Sequence, residues 1–141
     1  MNSGETMHAS TMNWAAFGVA IVANFVLGAL WYSPLLFVRQ WQAETGLSNQ
    51  DMGKRMPLAI PGQTIGSVVT AFVLLHLIIY AGASSAISGA GLAAACWLAF
   101  TAMPALGYVL YGSRKPKLSL IDNGYHLVGL VIMGAILGGW R

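Results

Sequence analysis

The sequence predicts an all-α fold, a four-helix transmembrane bundle, on three observations. Four apolar runs are each long enough to cross hydrocarbon, charged residues are confined to the segments between them, and aromatic residues gather near the run ends. Hydrophobic residues make up 57% of the 141 and charged residues only 8%, against roughly 25% charged in a soluble domain. No Asp, Glu, Lys or Arg occurs from Trp14 to Val38 or from Met56 to Ser113. A bilayer accounts for this segregation, because a charge at its centre costs about 2.5–3.5 kcal/mol on insertion scales.

Taken in order, residues 1–12 form a short polar segment without Lys or Arg. The apolar run that follows exceeds the usual apolar stretch of a signal peptide, so the first span is expected to stay in the mature protein. A crossing needs about 20 residues. Spans are expected at about 13–37, 58–81, 88–111 and 119–140, which makes 13–141 one membrane domain. Only the small and polar stretch 82–87 separates the second and third spans, which forces an antiparallel hairpin. In the longest connection, 38–56, Ser48 and Asp51 read as a capping box that starts a short interfacial helix.

Charge sets the orientation. Of the seven Lys and Arg, Arg39, Lys54 and Arg55 fall in the first loop, Arg114, Lys115 and Lys117 in the third, and only Arg141 lies at the other end. The positive-inside rule then places both loops in the cytoplasm and leaves the N-terminus and C-terminus both non-cytoplasmic. Aromatic residues agree: Trp14, Tyr80 and Trp140 fall at the outer interface, and Trp31, Tyr32, Trp41, Tyr108, Tyr111 and Tyr125 near the inner one. Trp14 and Trp31 are about 26 Å apart along a helix, close to the hydrocarbon thickness. The anchors expected at the interfaces are Trp14, Trp31, Tyr32, Trp41 and Trp140. Trp97 is the exception, mid-membrane, where its indole N–H needs a partner.

Small residues recur at helix-packing spacing. Gly62 with Gly66 and Gly134 with Gly138 form GxxxG pairs, while Ala16, Ala20, Asn24 and Gly28 make a stripe on the first span. These stripes serve either a compact bundle or contacts with a second copy or partner. Pro34 and Pro57 lie at membrane edges and Pro61 in the first turns of its span. Pro104 is interior and predicts a kink, because the Phe100 carbonyl loses its donor.

Polar residues inside spans are the candidates for function. Asp122 and His126 share a helix face at the start of the last span, a pair suited to proton handling, although Ser119 with Asp122 also reads as a capping box. Asn24 sits near the midplane, and Gln63, Ser67 and Thr70 form a polar stripe; both suit a narrow solute path or interhelical hydrogen bonds. His76 lies near the outer end of the second span, so it and His126 approach opposite leaflets and cannot easily share one metal. A single axial histidine could hold a haem or chlorin, but a hydrogen-bonded or interface-facing histidine is the preferred reading, and no cofactor is expected. Cys96 is the one cysteine, so no disulfide framework exists. No nucleophile with a base, phosphate-cradling loop or metal-ligand cluster occurs, and the basic residues flank spans rather than forming a nucleic-acid surface. Neither an enzyme nor a nucleic-acid partner is expected.

The block from Gly28 to Phe37, with Trp31-Tyr32-Ser33-Pro34 at its centre and Trp41 following, closes the first span. The ending Ile121-Asp122-Asn123-Gly124-Tyr125-His126, with Met133 to Gly138 and Trp140, completes the last. Together these resemble the domain-of-unknown-function family 1761 of bacterial membrane proteins, from Asn13 to Trp140. The resemblance implies a four-span membrane protein and supplies no activity. Val38-Arg39 stands where a Gly-Lys-like pair is expected.

Two functional classes follow. A structural or accessory component would act by helix packing in a homo-oligomer or larger complex of the bacterial inner membrane. The alternative is a channel or transporter for a small solute or a proton, using Asp122, His126, Asn24 and Gln63.

Overall fold

The computed structural model describes residues 12–140. The polar segment through Thr11 and the terminal Arg141 lie outside the described residues. Among those described, the elements are all helical, and four stretches, Trp14–Trp31, Asn49–Tyr80, Ala86–Leu110 and Pro116–Gly139, are long and apolar enough to cross a bilayer.

Helix α1 (Trp14–Trp31) starts where the Asn13 side chain accepts from the Ala16 amide at 3.1 Å. It ends at Trp31, ahead of the expected limit at Phe37. Pro34 has no amide to donate and drives Ser33 out of helical geometry, and the Phe37 N–H turns back to the Trp31 carbonyl at 3.0 Å. The 18 residues still cover about 27 Å. A separate short helix, α2 (Val38–Thr45), follows and stops at Gly46, whose φ of 73° suits a residue without a Cβ.

The Ser48–Asp51 capping box forms: the Ser48 hydroxyl accepts from the Asp51 amide, and the Asp51 carboxylate accepts from the Ser48 amide. The helix it opens is not a short interfacial one, as the sequence suggested. Instead α3 (Asn49–Tyr80) runs unbroken for 32 residues, about 48 Å, so its first turns extend past a bilayer core. Pro57 and Pro61 lie inside it. Residues 53–66 are all exposed, so carbonyls freed by the two prolines sit on an open surface rather than against another helix.

Gly82, at φ 66°, turns the chain into α4 (Ala86–Trp97), opened by a Ser85–Ser88 capping box. The kink expected at Pro104 takes the form of a π-helical turn, Leu98–Ala102, before α5 (Met103–Leu110). The Met103 amide bonds the Leu98 carbonyl five residues back, and the widened turn absorbs the donor that Pro104 lacks. Pro116 then occupies the first position of α6 (Pro116–Gly139), where its fixed φ and missing donor cost nothing. That start overturns the reading of Ser119 and Asp122 as a cap. Ser119 is already inside the helix, buried, accepting from the Asn123 side chain at 2.9 Å.

Helix α6 is the centre of the bundle, packed on α1, α3 and α4 and touching α2 and α5. One end of the bundle, the basic end, carries Arg39 of α2, Lys54 and Arg55 of α3, and Arg114, Lys115 and Lys117 at the start of α6; the other, the terminal end, carries Asn13 and Trp140, which are hydrogen-bonded to each other. Toward the terminal end the core is Ala16, Ala20, Ala71, Leu74, Ile78, Ala93, Met133 and Leu137. There α4 and α6 meet backbone to backbone. A Cβ on Gly134 would lie 2.7 Å from that of Ala93, and one on Gly138 would lie 2.6 Å from the Ser85 carbonyl and 2.9 Å from the Gly89 Cα, so only hydrogen fits.

Gly62 and Gly66 behave differently from this pair. Both face open space. The buried face of α3 is set by Ser67, Ala71, Leu74 and Ile78, and at about 100° per residue Gly66 and Gly62 are turned roughly 100° and 140° from Ser67. Among the described residues they pack against no other helix.

Candidate functional site

The polar side chains of three helices converge in the half of the bundle nearer the basic loops. Near the middle of α1, Asn24 donates to the Ser67 hydroxyl of α3 at 2.9 Å, and both residues are buried. Closer to the basic end, Gln63 of α3 donates to the Tyr125 hydroxyl of α6 at 3.2 Å. At the mouth, the Tyr32 hydroxyl donates to one Asp122 carboxylate oxygen at 2.7 Å while Arg114 pairs with the other. The rings of Tyr32 and Tyr125 meet edge to face at 5.6 Å and join the two groups. Burial, then the adjacent Asp122 carboxylate, push the Tyr32 hydroxyl above its ordinary range, so it remains a donor.

Three side chains in this half sit in notches left by glycines. The Tyr125 ring covers Gly28, whose Cβ would lie 3.3 Å from the hydroxyl. Trp31 packs over Gly124, and Asn24 points its oxygen at Gly129, where a Cβ would lie 2.5 Å away. The pattern follows from helix geometry: a polar or aromatic group crosses between two backbones most closely where one of them lacks a side chain. Among the described residues no buried side-chain nitrogen or oxygen lacks a partner, as a low-dielectric interior requires.

The sequence-derived candidates divide accordingly. Asn24, Gln63 and Asp122 belong to the convergence. Asp122 and His126, paired on sequence spacing, are not joined by a hydrogen bond; Asp122 turns to Tyr32 and Arg114, and His126 is exposed beside the Tyr125 ring at 5.1 Å. Sharing a helix face brings two residues near each other without aiming them, and the stronger partners won. His76 stands apart toward the terminal end. Its Nδ1 meets the Phe72 carbonyl of its own helix at 2.7 Å, between the Phe72 and Tyr80 rings. Among the described residues no group of His, Cys, Asp and Glu is placed to hold a metal.

Trp31 and Tyr32, expected as interface anchors, are half-buried at the basic end of α1. Trp31 donates its indole N–H to the Ile121 carbonyl at 3.0 Å and Tyr32 donates to Asp122, so both also bridge to α6. Trp41 packs edge-on against Tyr32 at 6.0 Å. Trp14 and Trp140 remain exposed at the terminal end. Trp97 finds the partner it needs, donating to the Asn123 carbonyl at 2.9 Å. Sequence reasoning missed Arg114 as a site residue, having counted it only as loop charge, and missed Gly124 and Gly129, whose flanking of Tyr125 was the available signal. A largely apolar groove runs along α1, lined by Trp14, Gly18, Val22, Val26, Leu30 and Ile132.

This arrangement holds a carboxylate between a guanidinium and a tyrosine hydroxyl within the bundle. No curated protein and no solved structure matches the chain. The family described as "Protein of unknown function (DUF1761)" matches residues 15–138, a stretch that includes the Trp31 to Pro34 block, the Asp122 to His126 block and every helix that builds the convergence. The chain belongs to the DUF1761 family.

Proposed function

We propose that this protein is a non-catalytic structural or accessory component of a membrane, acting by helix packing in a homo-oligomer or a larger membrane complex. The observation that supports it is the bare face of α3. Gly62 and Gly66 stand at close-packing spacing with no helix against them, flanked by exposed Leu58, Ile65 and Val69. A helix gains nothing by showing such a face to lipid alone, whereas small residues let a second helix approach closely. In this reading the bundle sits in the bacterial inner membrane, basic loops in the cytoplasm and both termini outside, by the positive-inside rule. Native mass spectrometry from lipid nanodiscs tests it: a defined oligomer or a co-purifying membrane protein is expected, and a lone protomer sinks it.

A second reading, a path for a small solute or a proton, is favoured by the polar convergence itself. It reaches from the Arg114–Asp122 pair to Asn24 and Ser67, and stops at the apolar core of Ala20, Leu74 and Met133. Such a path would need that core to open. Flux in proteoliposomes that is lost in Asp122→Asn at unchanged oligomer size supports this reading; absence of any flux removes it.

A further inference from the structure

We propose that the basic end of the bundle binds anionic phospholipid selectively, a phosphodiester headgroup without a compensating ammonium meeting Arg39, Lys54, Arg55 and Lys117 while its acyl chains lie on the leucines beside them. The proposal requires only that the long helices cross a bilayer, and it stands apart from both the oligomer and the transport path.

The charges come first. The carboxylates of the described residues are all engaged within the chain: Asp122 with Arg114 and Tyr32, Glu44 with Lys115, and Asp51 with the Ser48 amide and hydroxyl. Arg39, Lys54 and Lys117 are exposed, and among the described residues no carboxylate lies within ion-pair distance of them. Arg55 is exposed as well, one turn beyond Asp51, on which it acts only at longer range. This end therefore carries positive charge that the protein itself does not balance, and it attracts an anion.

Depth identifies the kind of anion. Counted along the helix axes, Arg55 lies about 38 Å from Tyr80 on α3, and Lys117 about 35 Å from Trp140 at the end of α6. A bilayer has about 30 Å of hydrocarbon inside 40–45 Å with its headgroups. With Tyr80 and Trp140 at one interface, these cations reach the phosphate layer of the other.

The neighbouring residues match the rest of a lipid. Leu58 follows Lys54 by four residues and Arg55 by three, and Leu120 follows Lys117 by three, so on each helix cation and leucine share a face. The two leucines are 83% and 76% exposed. Leu35, 81% exposed, stands four residues before Arg39 in the turn that leads to α2. Each cation thus has an open apolar residue on its hydrocarbon side, the layout of a surface that receives a charged head and a greasy tail together. A soluble acidic chain would meet the charges and leave the leucines bare, and free phosphate would meet the charges alone.

The experiment reconstitutes the full chain in phosphatidylcholine vesicles and reads, by electron paramagnetic resonance, how much of a trace spin-labelled lipid is held at the protein surface. Spin-labelled phosphatidylglycerol should be held in preference to spin-labelled phosphatidylcholine by about threefold or more. The preference should fall toward parity in the combined variant Arg39→Gln, Lys54→Gln, Arg55→Gln, Lys117→Gln, and in about 1 M salt, where charges are screened within about 3 Å. Millimolar inorganic phosphate at fixed ionic strength should leave it unchanged. If the combined variant does not reconstitute, Lys54→Gln and Lys117→Gln, each at an exposed helical position, should show part of the loss, and no decrease in either overturns the proposal. Equal retention of the two lipids, a preference that survives the combined variant, or its loss to inorganic phosphate overturns it as well. A lone protomer that still selects the anionic lipid would remove the accessory reading and leave this surface standing.

Discussion

The two halves of the bundle are held by opposite means. At the terminal end, helices touch through what is missing: Gly89, Gly134 and Gly138 bring the α4 and α6 backbones together over a core of Ala and Leu. At the basic end, helices are bridged by what is added: Asn24 to Ser67, Gln63 to Tyr125, Tyr32 to Asp122, Trp31 to Ile121 and Trp97 to Asn123. The first half tolerates no added atom. The second is a set of separate bonds, each replaceable at modest cost, and it leaves α5 and the first turns of α3 without buried contacts. Close backbone contact is thus concentrated at the terminal end, and side-chain hydrogen bonds between helices at the basic end.

The largest effect expected from breaking this contrast is at Gly134. Gly134→Leu forces a branched side chain into the Gly89 and Ala93 backbone contact, where neither side can yield because both are helix. We expect a loss of about 3 kcal/mol or more, read as failure to recover folded protein or as a large shift in an SDS unfolding titration. A stable variant would mean that α4 and α6 are not apposed here.

Gly129→Ala comes next and lies between the two regimes. Its methyl would meet the Asn24 oxygen at 2.5 Å, costing about 1–3 kcal/mol. The neighbour is a side chain rather than a backbone, so it can be removed. In an Asn24→Ala background the same Gly129→Ala change should cost about 1 kcal/mol less. Additivity of the two changes would show that Gly129 is not the notch for Asn24.

How much of this was legible in sequence follows from the physics of each half. The four crossings were legible because lipid demands long neutral helices whatever they pack against, and the Pro104 disturbance because proline lacks a donor in any context. The glycine pairs were only partly legible. Spacing identified Gly134 with Gly138 and Gly62 with Gly66 alike, but which pair meets a helix depends on rotation about the helix axis, and that is fixed by Ser67, Ala71 and Leu74 elsewhere on α3. The partners of Asp122 were not legible, since Tyr32 and Arg114 come from the end of α1 and the turn before α6. His126, four residues away, was the nearer guess in sequence and lost to them in space.

Tyr32→Phe is a milder break. It keeps the ring contacts and removes one hydrogen bond to a carboxylate that still has Arg114, for about 1 kcal/mol at neutral pH. The sign with pH is fixed. Burial first, and Asp122 second, raise the Tyr32 pKa above 10.0, so at high pH the unfolded chain releases this proton while the folded one retains it. The stabilisation is complete below the unfolded value and fades as pH climbs through and beyond it. Unfolding titrations from pH 8 to about 11 should show the wild type losing stability more steeply than Tyr32→Phe. Parallel curves would place the Tyr32 hydroxyl outside the buried cluster.

The smallest effect on the fold is expected from the same chemical change that does the most damage on α6. Gly66→Leu adds a branched side chain to a glycine in the middle of a span, as Gly134→Leu does, but a Cβ there meets nothing within 4 Å. Replacing glycine in an exposed helix even favours the helix by roughly 0.5–1 kcal/mol. The protomer in an SDS titration should therefore be unchanged or slightly more stable. If the bare face of α3 is where a second helix docks, the native mass should fall to that of the protomer in the same variant, because the added side chain holds the two backbones apart. Unchanged fold with lost assembly separates the two glycine pairs by role: Gly134 and Gly138 close the protomer on itself, while Gly62 and Gly66 face its neighbours. Unchanged fold with unchanged mass would instead leave that face to lipid and remove the observation on which the accessory reading stands.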